Sequence, residues 1–258
     1  ILTERAINMI NIPMKSSGAV NKQTVMTINN IKIQGSKSSC GISSNTSTKN
    51  YVSPVESNDI HNITGNTPIT VKAIPPLIRQ IEKGQKFAIE NQTGLTKINA
   101  KLGWNVTNSD CDVDVSAFLL DNTGKVIGDS WFVFYGQETS PDGSTVFSTD
   151  QGQDREIISI DFTKLNPDVS KIVFVLTINE AIEKHLNFSM LKDAYIRIMD
   201  SSNNELVSFK MKEYYSNITS MMIGEIYRYN GIWKFNAIGN GVARDLAGLC
   251  ELYGVQVV

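Results

Sequence analysis

The dipeptide Asn230-Gly231 constrains this chain more than any other feature. A two-residue hairpin loop of type I′ needs positive φ at both central residues, and Asn followed by Gly meets that need at little steric cost. Its flanks, Ile226-Tyr227-Arg228-Tyr229 and Ile232-Trp233-Lys234-Phe235, are rich in β-branched and aromatic residues. A loop of this length sets Tyr229 opposite Ile232, Arg228 opposite Trp233, Tyr227 opposite Lys234 and Ile226 opposite Phe235. That register predicts one core-facing row of Ile226, Trp233, Phe235 and Met222. Upstream, Val113, Val115, Ala117 and Leu119 alternate with Asp112, Asp114, Ser116 and Phe118, the period of a half-buried strand. The run Trp131-Phe132-Val133-Phe134-Tyr135 reads as a strand covered on both faces. Ile157–Ile160, Lys171–Leu176, Ala194–Met199 and Glu205–Phe209 read as further strands. Turn chemistry separates them at Asp121-Asn122-Thr123-Gly124, Ser140-Pro141-Asp142-Gly143 and Asp200–Asn204. After Gly239 and Gly241, the spacing of Val242, Leu246, Leu249, Cys250 and Tyr253 predicts one short amphipathic helix. Many short strands with turns between them predict an all-β fold, an antiparallel β-sandwich with a short C-terminal helix.

The first third of the chain differs in texture. Ser, Thr, Asn and Gly make up 17 of the 30 residues 41–70. Such a stretch buries too little apolar surface to offset the entropy of ordering it. The runs 23–28 and 31–33 look like short strands around Asn29-Asn30, and Pro75-Pro76 marks a stiff boundary. The expected organisation is an N-terminal extension over 1–75, with a polar low-complexity segment at about 41–70, and a β-sandwich domain over 78–258. A formal net charge of −2 gives no basic field for nucleic acid or an anionic membrane. No apolar run approaches the ~20 residues that span a bilayer, and the expectation is of no transmembrane segment. The start, Ile1-Leu2-Thr3-Glu4-Arg5, lacks the pattern of a signal peptide. Cys40, Cys111 and Cys250 are odd in number and widely spaced, which points away from a disulfide framework or thiolate zinc site and toward a reduced, cytoplasmic setting.

Two groups of acids carry the clearest chemistry. Asp112 and Asp114 lie two apart on a predicted strand and project from one face. Asp150, Asp154 and Glu156 come from one loop, with Gly152 allowing a sharp turn, and Asn105, Asn108 and Asp110 lie near the first pair in sequence. Calcium takes six to eight oxygen ligands, chiefly carboxylates, carbonyls and amide oxygens. If the loop folds onto the strand face, five carboxylates converge and their repulsion favours a divalent cation. On spacing alone, the same acids read more readily as charges that solvate a loop and a strand edge. Asp121–Lys125 lacks the ligand spacing of an EF-hand and reads as a β-turn. Asp142 lies close enough in sequence to the acidic loop to be a further candidate. Gly239-Asn240-Gly241 before a helix is a weak candidate for an anion cradle. His61 and His185 have no paired acid or nucleophile in view, so neither supports a triad. Cys111, between Asp110 and Asp112, is set against thiolate reactivity by its neighbours. Arg197, Arg228 and Lys234 read as charges on a sheet edge or face, and Trp104, Trp131 and Trp233 as core.

Nine short segments in order make the chain familiar. They are Gly94-Leu95-Thr96-Lys97, Leu102-Gly103-Trp104-Asn105, Asp112–Leu120, Phe132-Val133-Phe134-Tyr135, Ser140-Pro141-Asp142-Gly143, Asn187-Phe188, Ala194-Tyr195-Ile196-Arg197, Gly224-Glu225-Ile226-Tyr227-Arg228, and Trp233–Gly239. From about Ile78 to Val258 the chain resembles the TerD family of tellurium-resistance and stress-response proteins. The resemblance implies a β-sandwich, calcium as the bound ion, a role in resisting tellurite and other chemical stress, and other stress-response proteins as partners. It also implies kinship with a protein described as cyclic-AMP-binding. With it, the metal ligands are expected to be Asp112, Asp114, Asp150, Asp154 and Glu156. Two positions depart from the family pattern. The acidic loop, Thr149–Glu156, is short and has Arg155 where an acid is common, and Asn105 stands where the family more often has Asp. The leading expectation is a non-enzymatic calcium-binding module or scaffold. The alternatives are a small-ligand, cyclic-nucleotide-like receptor and a tellurite or oxidative detoxification enzyme. The enzyme finds no cofactor loop, Cys-X-X-Cys or histidine-based site in the sequence.

Overall fold

The computed structural model of the protein describes residues 69–89 and 94–256. The strand-like runs at 23–33, the polar segment as far as residue 68, Cys40 and His61 lie outside the described residues. Asn230 and Gly231 both take positive φ, 51° and 80°. They join β10 (Ser220–Tyr229) to β11 (Ile232–Val242), with Tyr229 opposite Ile232 and Ile226 opposite Phe235, as the loop length predicts. Only Met222 departs from the expected row. Met222 pairs with Val175 and Gly224 with the next residue of that strand, Phe174, so Ile223 is an extra residue in β10. The bulge reverses the alternation. Ile223 therefore joins Ile226, Trp233 and Phe235 in the main core, and Met222 packs on the opposite face.

Nine further strands complete two antiparallel sheets. They are β1 (Lys86–Ala88), β2 (Lys97–Val106), β3 (Val113–Leu120), β4 (Phe132–Val133), β5 (Thr145–Thr149), β6 (Glu156–Asp161), β7 (Lys171–Ile178), β8 (Leu191–Asp200) and β9 (Glu205–Lys210). One sheet has the order β1-β11-β10-β7-β3-β4 and the other β5-β6-β2-β8-β9. Between them lie Ile98, Ala100 and Leu102 of β2, Val115 and Leu119 of β3, Ile158 and Ile160 of β6, Phe174 and Leu176 of β7, and Ile196 and Ile198 of β8. Each set is the alternate residues of its strand, as a face packed on a second sheet requires.

β3 is buried along its whole length rather than on one face. Its second row, with Phe118 and Leu120, enters a smaller apolar cluster with Phe132, Phe134, Val173 and Val175. The C-terminal helix α1 (Leu246–Tyr253) closes this cluster through Leu249, Cys250 and Tyr253. Asp245 caps α1 by accepting from the Gly248 N–H, and Gly254 ends it in the left-handed conformation. Gly239-Asn240-Gly241 lies inside β11, so it forms no anion cradle at a helix entry. The expected continuous strand at 131–135 is also replaced. A 3-10 turn over Asp129–Trp131 leads into the two-residue β4, and Phe134 turns back to pair with Gln137. Because β4 reaches only Ala117 and Phe118, the β3 edge beyond it is left for side chains to cover.

Candidate functional site: an acidic cleft at the β5–β6 loop

The loop between β5 and β6 is closed by one of its own acids. Asp150 Oδ1 accepts from the Gly152 N–H at 3.1 Å and Oδ2 from the Asp154 N–H at 2.9 Å. The loop is fixed to β2 by the Arg155 N–H, which donates to the Leu102 carbonyl at 2.8 Å. Arg155 Nε also donates to the Trp104 carbonyl at 2.5 Å, and its guanidinium lies over the Trp104 ring. At the loop's end, Glu156 turns toward the other sheet. Its Oε2 accepts from the Val115 N–H at 2.7 Å, at the part of β3 that β4 does not reach.

These contacts bring Asp112, Asp150 and Glu156 to one open cleft of about 430 Å³, lined also by Lys72, Trp104, Cys111 and Arg155. Asp114 is buried at the start of β3 and is not among the residues that line the cleft. Burial raises the pKa of the Tyr135 phenol, and the carboxylates of Asp114, Asp112 and Glu156 raise it further. Tyr135 thus stays protonated. Burial likewise pushes the Cys111 thiol up to about 11, with Asp110 adding to the effect, so the thiol at the cleft is inert at neutral pH.

Asp154 contributes differently from the expectation. Its carboxylate accepts from Arg197 Nη2 at 2.5 Å, from Arg197 Nε at 3.2 Å and from the Tyr195 hydroxyl at 2.9 Å. Asp154 and Arg197 are nearly out of solvent, so this is a buried, bidentate ion pair. Arg197 is therefore a site residue rather than the surface charge its position suggests. Gly103 makes the arrangement possible. A Cβ there would sit 2.3 Å from the Tyr195 hydroxyl oxygen, so only glycine lets Tyr195 lie across β2 and reach Asp154.

Lys72 is the part of the site that sequence reasoning missed. Its Nζ donates to the carbonyls of Asp154 at 2.7 Å, Gly152 at 3.1 Å and Asp150 at 3.4 Å. Its backbone is gripped by Asn105, whose Oδ1 accepts from the Lys72 N–H at 2.9 Å and whose Nδ2 donates to the Lys72 carbonyl at 3.0 Å. Arg155 reaches the Thr70 carbonyl at 3.4 Å. Thr70 and Lys72, ahead of Pro75-Pro76, are thus held to the β domain at this loop. Lys72 stands in a short alternating run, Ile69-Thr70-Val71-Lys72-Ala73-Ile74, and nothing in that run marks its ammonium as a partner of the loop.

Asp142 lies away from the cleft. It accepts from the Ser140 hydroxyl and the Ser144 and Asn166 N–H groups and serves as the turn's own brace. Among the described residues, no three His, Cys, Asp or Glu side chains stand close enough to hold a metal ion as they are placed. The donor types present, carboxylates and backbone carbonyls, are those that calcium takes. Three carboxylates line one cleft, and three loop carbonyls already converge on a positive charge.

Fold and site define a two-sheet antiparallel sandwich with an acidic cleft at one loop. The TerD domain model matches residues 78–253, and the chain belongs to the TerD family. It is 40% identical over 164 residues to the tellurium resistance protein TerD of Serratia marcescens, covering 60% of this chain and 85% of that one. It is 36% identical over 189 residues to general stress protein 16U of Bacillus subtilis, covering 69% of this chain and 97% of that one. Among solved structures, a protein of unknown function, SAV2460, superimposes with a TM-score of 0.51 at 18% identity, over 64% of this chain and 99% of that chain, which is a likeness of fold. The first 77 residues fall outside the family match. No helix among the described residues is long and apolar enough to cross a membrane.

Proposed function

We propose that the protein is a calcium-binding stress-response module of the tellurium-resistance type, acting as a non-enzymatic binding or scaffold element in the cytoplasm alongside other stress-response proteins. The observation that carries this reading is the meeting of Asp112, Asp150 and Glu156 in one cleft, next to a loop whose carbonyls already surround a cationic group. In this reading those three acids supply carboxylate oxygens, and the buried Asp114, two residues from Asp112, adds negative charge nearby. Asp154 offers its carbonyl, while its carboxylate holds the loop to Arg197. An inert Cys111 and the roles in the relatives' names, tellurium resistance and general stress, agree with a binding role.

Calorimetry and thermal melting in calcium and in chelator test it. A ligand that binds only the native state raises stability by RT ln(1 + [L]/Kd), so the calcium-dependent part of the melting shift reports the site. Asp112→Asn should weaken calcium binding about tenfold or more, a loss of ~1.4 kcal/mol, while changing the melting temperature in chelator little. Asp154→Asn should lower the melting temperature equally in both conditions, because it breaks the Arg197 pair, a loss of roughly 3–5 kcal/mol for a buried ion pair. A parent protein whose melting temperature is the same in millimolar calcium and in chelator would overturn the proposal.

A further inference from the structure

We propose that Lys72 is a built-in cation that occupies the carbonyl side of the acidic loop, so that calcium and the segment carrying Lys72 compete for it. This rests on the calcium reading above. An ammonium group has three N–H donors, and here each has its own carbonyl, from Asp154, Gly152 and Asp150. Those carbonyls alternate along the loop, and their oxygens point to one place. Such convergence costs dipole repulsion unless a positive charge stands at the centre. The Lys72 ammonium supplies that charge, and it also faces the cleft that Asp112, Asp150 and Glu156 line.

The backbone of the segment is held just as specifically. Asn105 donates to and accepts from the Lys72 backbone at once, through the separate N–H and C=O groups of its amide. An Asp in its place would lose the donated bond. Arg155 adds a contact to the Thr70 carbonyl. Asn105 and Arg155 thus both touch this segment. The segment is the direct continuation of residues 1–68. Calcium binding would then loosen the attachment of the N-terminal extension, and attachment would weaken calcium binding by the same factor, because linkage is reciprocal.

The test uses the full chain and Lys72→Met, which keeps the stem and removes the ammonium. Lys212→Met is the control, since it removes an equal charge from an exposed pair with Glu82. Calorimetry should show calcium binding about tenfold tighter in Lys72→Met than in the parent, within the ~5–150-fold range usual for coupled sites, and unchanged in the control. In the parent, hydrogen exchange of the Lys72 amide, which donates to Asn105, should speed up when calcium is added. Equal calcium affinity in parent and Lys72→Met, or equal tightening in both variants, overturns the competition and leaves the calcium site standing. Absence of calcium binding in both parent and Lys72→Met overturns the calcium reading and the competition together.

Discussion

Asp142 shows what a single carboxylate does when it braces a turn instead of meeting a ligand. Partial burial pushes its pKa up, but bonds from Ser140, Ser144 and Asn166 outweigh that and hold it below the usual carboxylate range. A group with a lowered folded pKa contributes stability above its unfolded value, near ~3.9, and loses it as the pH falls through the folded value. Asp142→Ala should therefore cost ~1–3 kcal/mol near neutral pH, as expected when buried N–H donors lose a charged acceptor. The gap from the parent should narrow steadily below about pH 4. Urea melts of both proteins at several pH values measure it, and a gap that is constant with pH would show that the lost bonds do not depend on charge. Spacing in sequence groups Asp142 and Asp154 with the cleft acids. Their side chains go elsewhere because nearer partners claim them: the turn's own N–H groups in one case, and Arg197 with Tyr195 in the other.

Among the elements, α1 has the clearest energetic role. The six-stranded sheet has an apolar outer face at Phe118, Phe132, Phe134, Val173 and Val175, and α1 lays Leu249, Cys250 and Tyr253 against it. The Phe118 ring lies 4.5 Å from those of both Phe132 and Tyr253. Leu249 is fully buried. Leu249→Ala should cost about 2–5 kcal/mol, the range for deleting a buried leucine side chain. Chemical denaturation checks this, and a loss under about 1 kcal/mol would mean that the helix only rests on the sheet. Most strands are legible as alternating runs: β6, β7, β8, β9 and the β10–β11 hairpin fall where the pattern puts them. β2 carries a weaker local signal, although Ile98, Ala100, Leu102 and Trp104 alternate with Lys97, Asn99, Lys101 and Gly103. Asn99 and Gly103 are poor strand formers taken alone. They are accommodated because β6 and β8 pair with β2 on both sides and Tyr195 covers Gly103.

For the whole molecule, the decisive feature is how the chain before β2 closes the sandwich. The Ile81 N–H donates to the Ser208 carbonyl at 2.9 Å and the Ser208 N–H to the Arg79 carbonyl at 3.0 Å, so residues 79–81 cover the outer edge of β9. β1 then crosses to the edge of β11 in the other sheet. Ile81, ahead of β1, also packs against the main core. Exposed strand edges invite pairing with other chains. A chain starting at residue 78 should keep the melting temperature in chelator to within a few degrees, since every ~1 kcal/mol moves it only about 2–4 °C in a domain of this size. A chain starting at residue 94 should melt far lower and aggregate. Melting curves with light scattering compare the two, and equal behaviour would show that the edge cover is dispensable.

Periodicity and turn chemistry in the chain are enough to determine the class of fold, the hairpin register and the acidic character of the cleft. The alternation of β3 and the need for positive φ at Asn230-Gly231 act within a few residues and so are written locally. Tertiary structure alone decides which acids share the cleft, because that depends on how far apart two sheets hold their strands and on which donors arrive first. It turns Asp154 toward Arg197, sends Met222 to the far face through one extra residue at Ile223, and covers both faces of β3. It also brings Lys72 to a loop 78 to 82 residues away. That contact is made by carbonyl oxygens, which every residue carries, so no choice of side chain in the loop could have announced it.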